Sequence, residues 1–284
     1  MVREILANAR ARKMLANVLK LDELPELPSL ALKILGSLRD PDVEFAEVAE
    51  ALGSDPALTI KVLGTVNSAA YAPQHPINDV RQALSYIGRA ELEQIVLAVV
   101  VRGALPSDPA PGFDPRRFWR TAARRAALGR TIASKLHPAR AGEAFTASLL
   151  LDMGIPAMVK AIGTPYSELL LEWHATPTVQ LQDIEHKRLK ITHSRVGSLL
   201  AASFALPPSL VQAIALHHDH LASDKELLPA VRLMGRLREV EVEGSDEELI
   251  EAAREDYGLD PDWTALAIES SATSSHELAK LLAS

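Results

Sequence analysis

The sequence predicts an all-α protein built as two helical lobes. Apolar residues recur at three- and four-residue spacing over most of the chain, the mark of helices with one buried face. Residues 104–115 interrupt that pattern with four prolines and a glycine in twelve residues, which no helix can continue through. The lobes therefore meet at this Pro-rich break. No internal repeat of solenoid period is visible.

Taken in order, residues 3–20 read as a first helix. Pro25 and Pro28 then punctuate, and Leu27, Leu30, Ile34 and Leu38 mark a second. Phe45, Val48, Ala49 and Leu52 mark a short third. Asp55-Pro56 opens the fourth: the carboxylate accepts a free backbone N–H and the proline has none to lose. That helix carries Leu58, Val62, Leu63 and Val66 and ends near Asn67-Ser68. Two more are expected at 79–87 and 90–103. Beyond the break, a long helix over 115–136 is followed by others at about 140–162, 165–174, 177–188, 194–204, 207–219 and 224–239. Residues 239–256 hold nine carboxylates against Arg254 alone and read as a solvated helix and loop, with Leu249 and Ile250 supplying an apolar stripe. A last helix over 262–282 carries Trp263, Leu266 and Leu278.

The bulk numbers narrow the function classes. With 284 residues and 48% hydrophobic content, the chain can fold around sizeable cores. It has no cysteine, which excludes disulfides and thiolate metal sites. The longest aliphatic run, Ile95–Val101, is too short to span a bilayer, and the first twenty residues lack the apolar core of a signal peptide. The expectation is a cytoplasmic protein with no membrane association. A net charge of −7 sets the overall field against nucleic acid and anionic lipid.

The chemistry-bearing residues sit in the second half. Leu149-Leu150-Leu151-Asp152-Met153-Gly154 has the form of a metal-site segment that usually reads Leu-Leu-His-Asp-x-Gly, with leucine in place of the histidine. His193 and His217-His218-Asp219 follow. Earlier, Asp55-Pro56-Ala57-Leu58, Leu63 and Asn67-Ser68-Ala69-Ala70-Tyr71 resemble the central motif of the HDOD domain family, bacterial regulatory relatives of the HD phosphohydrolases. Ile77, Ala83, Ile87-Gly88, Leu92, Leu97, Phe118-Trp119-Arg120, Gly197 and Leu206-Pro207 extend the match over about 22–221. The organisation it implies is an N-terminal helix (1–21), an HDOD-like domain (22–221) and a C-terminal helical extension (222–284). Within the domain, a lobe over 22–103 and a connection over 104–115 lead to an HD-like lobe over 116–221.

Departures from the pattern are as informative. Compared with metal-binding HD proteins, Thr121 and Leu151 stand where histidines are expected, Ile155 where a lysine is common, and Gly235 near a later metal-binding aspartate. A hydrolase of this kind needs imidazoles and carboxylates converging on metal to make a nucleophilic hydroxide, and leucine donates no lone pair. The resemblance therefore implies a non-catalytic signalling module, with no metal or other cofactor and with a signalling protein as partner. A nucleotide or cyclic dinucleotide is a further ligand class. A metal-dependent phosphohydrolase or cyclic-dinucleotide phosphodiesterase, and a nucleotide sensor without turnover, are the competing readings.

Each candidate residue has a plainer reading beside the functional one. Asp152, His193, His217 and His218 form either a residual metal-like cluster or a buried, mutually hydrogen-bonded polar group. On a continuing helix, His217 and His218 would point about 100° apart, so at most one is expected to face the site. Arg116, Arg117, Arg120, Arg124, Arg125, Arg130 and Lys135 make the 115–136 helix basic without an acid. Arg117, Arg120 and Arg124 share a face that suits an anion or an acidic partner, or else pairs with the acidic 239–256 segment. Asn67, Ser68 and Tyr71 either dock a partner or end a helix and fix the next turn.

Overall fold

Local sequence signals account for most helix boundaries in the computed structural model, which describes residues 2–19, 25–176, 179–219, 222–237 and 245–283. Among these, every regular element is helical apart from one isolated bridge, Ala110 to Phe113. The first lobe comprises α2 (Ser29–Arg39), α3 (Phe45–Gly53), α4 (Pro56–Val66) and α5 (Val80–Ala104). The second comprises α6 (Pro115–Leu136), α7 (Ala141–Leu150), α8 (Gly154–Ile162), α9 (Thr164–Ala175), α10 (Leu181–Leu189), α11 (His193–Ser203), α12 (Pro208–Leu216) and α13 (Pro229–Met234). Flanking them are α1 (Val2–Leu19), α14 (Ser245–Tyr257) and α15 (Pro261–Ala283).

Asp55, Asp79 and Asp114 cap α4, α5 and α6 by accepting backbone N–H bonds from Leu58, Gln82 and Arg116, with proline opening α4 and α6. Each such cap stabilises its helix by about 1 kcal/mol. Gly88 adopts φ 79° inside α5, which bends it as the two-helix expectation requires. The bend brings Arg89 back over the end of α2, where its guanidinium donates to the carbonyls of Ser37, Asp40 and Val43 and covers the Phe45 ring.

The 140–162 stretch departs from expectation. It is not one helix but a 3₁₀ turn (Pro138–Arg140), α7, a turn at 151–153 and α8. Pro156 has no N–H to return to the Asp152 carbonyl, so the ladder cannot run through; the Ile155 N–H takes that carbonyl at 2.8 Å instead. By length and composition Pro138–Ile162 could cross a bilayer, but 83% of its most apolar window is buried inside the protein. Two further helices are shorter than expected. α12 ends at Leu216, and α13 covers only Pro229–Met234, opened by its proline. The expected start of α10 at 177–178, the end of α13 at 238–239 and the start of the acidic segment at 239–244 fall outside the described residues.

α6 is the axis of the molecule, packed against α7, α13 and α15. α15 also reaches α4 in the first lobe, and α1 docks on α11 and α8 through Ala11, Leu15 and Leu19. Fully burying a leucine such as Leu15 stabilises by roughly 2 kcal/mol. The motif residues of the first lobe are used internally. The Asn67 side chain donates to the carbonyls of Leu63 and Ile77 and accepts the Ile77 N–H, closing the 67–77 loop. Ser68 donates to the Thr65 carbonyl. Tyr71 packs edge-on to Phe145 at 5.7 Å, and the Arg130 guanidinium of α6 lies 4.2 Å over its ring while pairing with Glu91. Arg130 thereby ties the lobes together.

Close backbone approach makes Gly154 irreplaceable: a Cβ there would overlap the His193 carbonyl, whereas one on Gly36, mid-α2, would meet nothing within 4 Å. Gly154→Ala is expected to destabilise by about 2 kcal/mol or more. Gly36→Ala should stabilise by about 0.5–1 kcal/mol. Urea denaturation of the two variants checks both signs.

Candidate functional site: a buried histidine and aspartate cluster

The broken 140–162 helix has a purpose that becomes clear at Asp152. The turn at 151–153 presents this carboxylate to the interior, where α11 brings His193 and the end of α12 brings His217 and His218. One ligand-type atom from each of the four lies within 4.8 Å of the others. His193 Nε2 is 3.0 Å from His218 Nε2 and 3.4 Å from Asp152 Oδ1, and His217 Nε2 is 3.1 Å from the same oxygen.

Both adjacent histidines therefore face the site, which corrects the expectation that at most one would. The 100° argument assumed a continuing helix. Because α12 stops at Leu216 and His217 is its C-cap, the pair lies in a turn and both rings swing inward, with centroids 4.0 Å apart.

Two residues without a sequence motif complete the cluster. Glu185, on α10, is wholly buried; its Oε2 accepts from His193 Nδ1 at 2.8 Å and from the His193 backbone N–H at 2.8 Å. Tyr166 donates to its other oxygen at 2.5 Å. Arg125 turns inward from α6, pairs with Asp152 Oδ2 and donates to the Leu237 carbonyl. The clue to Arg125 was its setting on the small-residue face of α6, among Ala122, Ala126 and Gly129. Glu185, eight residues before His193, carried no such clue.

The hydrogen-bond partners fix the ring protons. The Ile214 carbonyl and the Glu185 carboxylate only accept, so His217 Nδ1 and His193 Nδ1 each carry a hydrogen. The Nε2 atoms of both rings then point at Asp152 with lone pairs unless a second proton or a cation intervenes. Burial alone would keep His193 neutral, but Glu185 and Asp152 outweigh it and push His193 up to about 10. Asp152 is held well below the usual carboxylate range: burial opposes ionisation, but Arg125 and the two imidazoles more than compensate. Burial and its cationic neighbours lower His218, and burial lowers His217. Without a metal, two carboxylates, Arg125 and a His193 imidazolium balance in charge.

The same donors suit a small divalent cation. A tetrahedral site with metal–nitrogen bonds of about 2.0–2.1 Å has donor separations of about 3.4 Å, close to the 3.0–3.4 Å neighbours here. Glu185 would act as the outer carboxylate that orients a ligating imidazole. Around this set, Leu151 is fully buried and Ile155 nearly so. At Gly235 a side chain would collide with the His217 carbonyl, so that position can supply no further donor.

The basic face of α6 is divided. Arg124 pairs with Asp246 of α14 at 3.3 Å, Arg125 and Arg130 are engaged inside, and Lys135 lies over Trp263. Of the proposed stripe, only Arg117 and Arg120 remain without such a partner among the described residues; Arg124 is satisfied by the acidic segment.

Comparison with known proteins places this geometry. The family model for the HDOD domain matches residues 24–220. An uncharacterized protein of Treponema pallidum (strain Nichols) is 24% identical over 235 residues, 81% of this chain, and the chain spans only 44% of that relative. A candidate phosphohydrolase from Shewanella amazonensis SB2B superposes with a TM-score of 0.74 at 23% identity, covering 94% of this chain and 97% of its own. An HDOD domain protein with unknown function from Geobacter sulfurreducens superposes with a TM-score of 0.70 at 23% identity, covering 98% and 97%. These structures share the all-α fold.

In chelator-treated protein the His193 interactions should set a pH dependence. Its pKa in the folded state lies above the unfolded value of about 6.5, so the stabilisation is complete below about pH 6.5 and is lost as pH rises through about 10. The urea midpoint should fall across that window, and Glu185→Gln should flatten the fall. With metal present, Zn²⁺ affinity should instead increase with pH, because the ligating imidazoles must shed their protons; calorimetric titration at pH 6 and pH 8 measures this.

Proposed function

We propose that this chain, which belongs to the HDOD domain family, is a non-catalytic signalling module that acts by binding a protein partner, and that its histidine and aspartate cluster is a closed structural centre. The observation carrying this reading is the Arg125–Asp152 pair. A catalytic metal site keeps an open position for water and substrate. Here the second oxygen of the one retained HD-motif carboxylate is held by an arginine from within the fold, and that arginine is itself anchored on the Leu237 carbonyl. His193, His217 and Asp152 are all buried, and leucine replaces the missing imidazole. A cation bound by Asp152, His193, His217 and His218 would join three segments, the 151–153 turn, the start of α11 and the end of α12, and contribute to folding, as structural metal sites do.

Partner binding falls to the surface. Arg117 and Arg120 lie at the start of α6, beside the junction of the lobes, and offer guanidinium forks to an acidic partner.

The deciding experiment is turnover. Protein loaded in turn with Zn²⁺, Mn²⁺ and Fe²⁺ is assayed against nucleoside phosphates and cyclic dinucleotides. No turnover above the Asp152→Ala background is expected. Hydrolysis by the wild type that disappears in Asp152→Ala, with the fold retained, would replace this reading with that of a metal-dependent phosphohydrolase. Elemental analysis of protein purified without chelator or histidine tag reports whether the closed centre holds its cation.

A further inference from the structure

Arg102 lies in the last turn of α5, where the first lobe passes into the Pro-rich connection. It is only 8% exposed. Its guanidinium carbon sits 4.9 Å over the ring of Trp119 on α6, yet no carboxylate or carbonyl pairs with it among the described residues. Its Nε is enclosed with no hydrogen-bond partner, and so is the indole Nε1 of Trp119. The other buried arginine among the described residues, Arg125, is neutralised by Asp152. Two orphan donors side by side are an exception to the rule that buried polar groups are paired. Contact with an aromatic face does not replace a counter-charge for a buried cation.

The surroundings are also positive. Arg116 precedes Trp119 by one helical turn on the same face of α6, and Arg120 follows Arg116 by four residues. Both are exposed, and neither has an ion-pair partner among the described residues. They stand at the positive end of a 22-residue helix. The single acid there, Asp114, is occupied in capping the Arg116 N–H at 2.9 Å. In a chain of net charge −7, Arg116 and Arg120 are thus exposed guanidinium groups with no counter-charge among the described residues, on the same helix as the Trp119 that Arg102 covers.

We propose that Arg102, with Arg116 and Arg120 outside it, forms a phosphoryl-binding site at the α5–α6 junction. Guanidinium forks from both helices would match the multiple oxygens and double charge of a phosphoryl group better than the single charge of a carboxylate. The ligand class is a small molecule bearing a terminal phosphate or diphosphate. The site is separate from the histidine and aspartate cluster, and the proposal stands whether or not that cluster turns over substrate.

The Trp119 indole N–H is a built-in probe. Its resonance in a ¹⁵N correlation spectrum is assigned by Trp119→Phe, and full-length protein is then titrated with sodium pyrophosphate at constant ionic strength. The Trp119 signal is expected to shift and saturate, while that of Trp173, whose Nε1 already donates to the Val179 carbonyl, stays in place. Arg102→Met keeps the aliphatic packing and removes the charge; it should abolish the response. The surface pair Arg116→Gln and Arg120→Gln, which cannot compromise the core, should weaken apparent affinity roughly tenfold or more, and Lys225→Gln at the α12–α13 connection should leave it unchanged. No saturable shift in the wild type, an equal shift with acetate, or a response undiminished in the Arg116 and Arg120 variant would each overturn the proposal.

Discussion

The Asp152 carboxylate is the constraint around which the second lobe is arranged. A buried carboxylate is tolerable only if its charge is matched and its oxygens are bonded. Here each oxygen draws in a different part of the chain. Oδ2 takes Arg125 from α6, and through it the Leu237 carbonyl beyond α13; Oδ1 takes His217 at the end of α12 and His193 at the start of α11. His193 in turn recruits Glu185 from α10 and Tyr166 from α9. The network thus ties together most of the helices of this lobe, and the turn at 151–153 that interrupts the 140–162 stretch presents the carboxylate to the interior.

The leucine at position 151 and the internal cations Arg125 and His193 are complementary here. A divalent metal neutralises a cluster of carboxylates and orients imidazoles at once. Without it, those tasks fall to fixed charges and to protons, and Arg125 and His193 meet them from within the fold. The resulting site is balanced in charge, and it remains chemically suited to a single small cation. Its donors are buried except for His218, which is half-buried.

The helical class, the break at 104–115 and the capped start of α4 were legible in the sequence because each rests on short-range chemistry: apolar spacing, proline, and an aspartate one position before a helix. Asp152, His193, His217 and His218 were legible as a set through their motif. The joint orientation of His217 and His218 was not, since it depends on α12 stopping at Leu216, a boundary that no glycine or proline marks. For a different reason, Glu185 gave no sign of being a site residue, and neither did Arg125 apart from its place on the small-residue face of α6. Their roles arise from tertiary contacts, Arg125 with Asp152 and Leu237, and Glu185 with Tyr166 and His193, and a charged side chain in an amphipathic helix looks alike whether it faces water or a buried counter-ion. Of the two readings of Asn67 and Ser68, the turn-fixing one rested on their habit of bonding nearby backbone, as Ser68 does with Thr65 and Asn67 with Leu63, whereas the Asn67–Ile77 pair that closes the loop lies ten residues away and had no local signal.

Gly235 bears on the history of this fold. Restoring an imidazole at Leu151 would be one substitution, but the position nearest the expected aspartate is pressed against the His217 carbonyl with no room for a side chain. Any carboxylate arriving there must first push α13 outward, which would also pull the Leu237 carbonyl from Arg125. Reversion to a full ligand set therefore passes through an intermediate that has lost its internal counter-ion before it has acquired a metal. Restoring donors at Leu151 and Gly235 together therefore needs several coupled changes, because the room for a side chain at Gly235 and the Leu237 carbonyl that holds Arg125 both depend on where α13 lies.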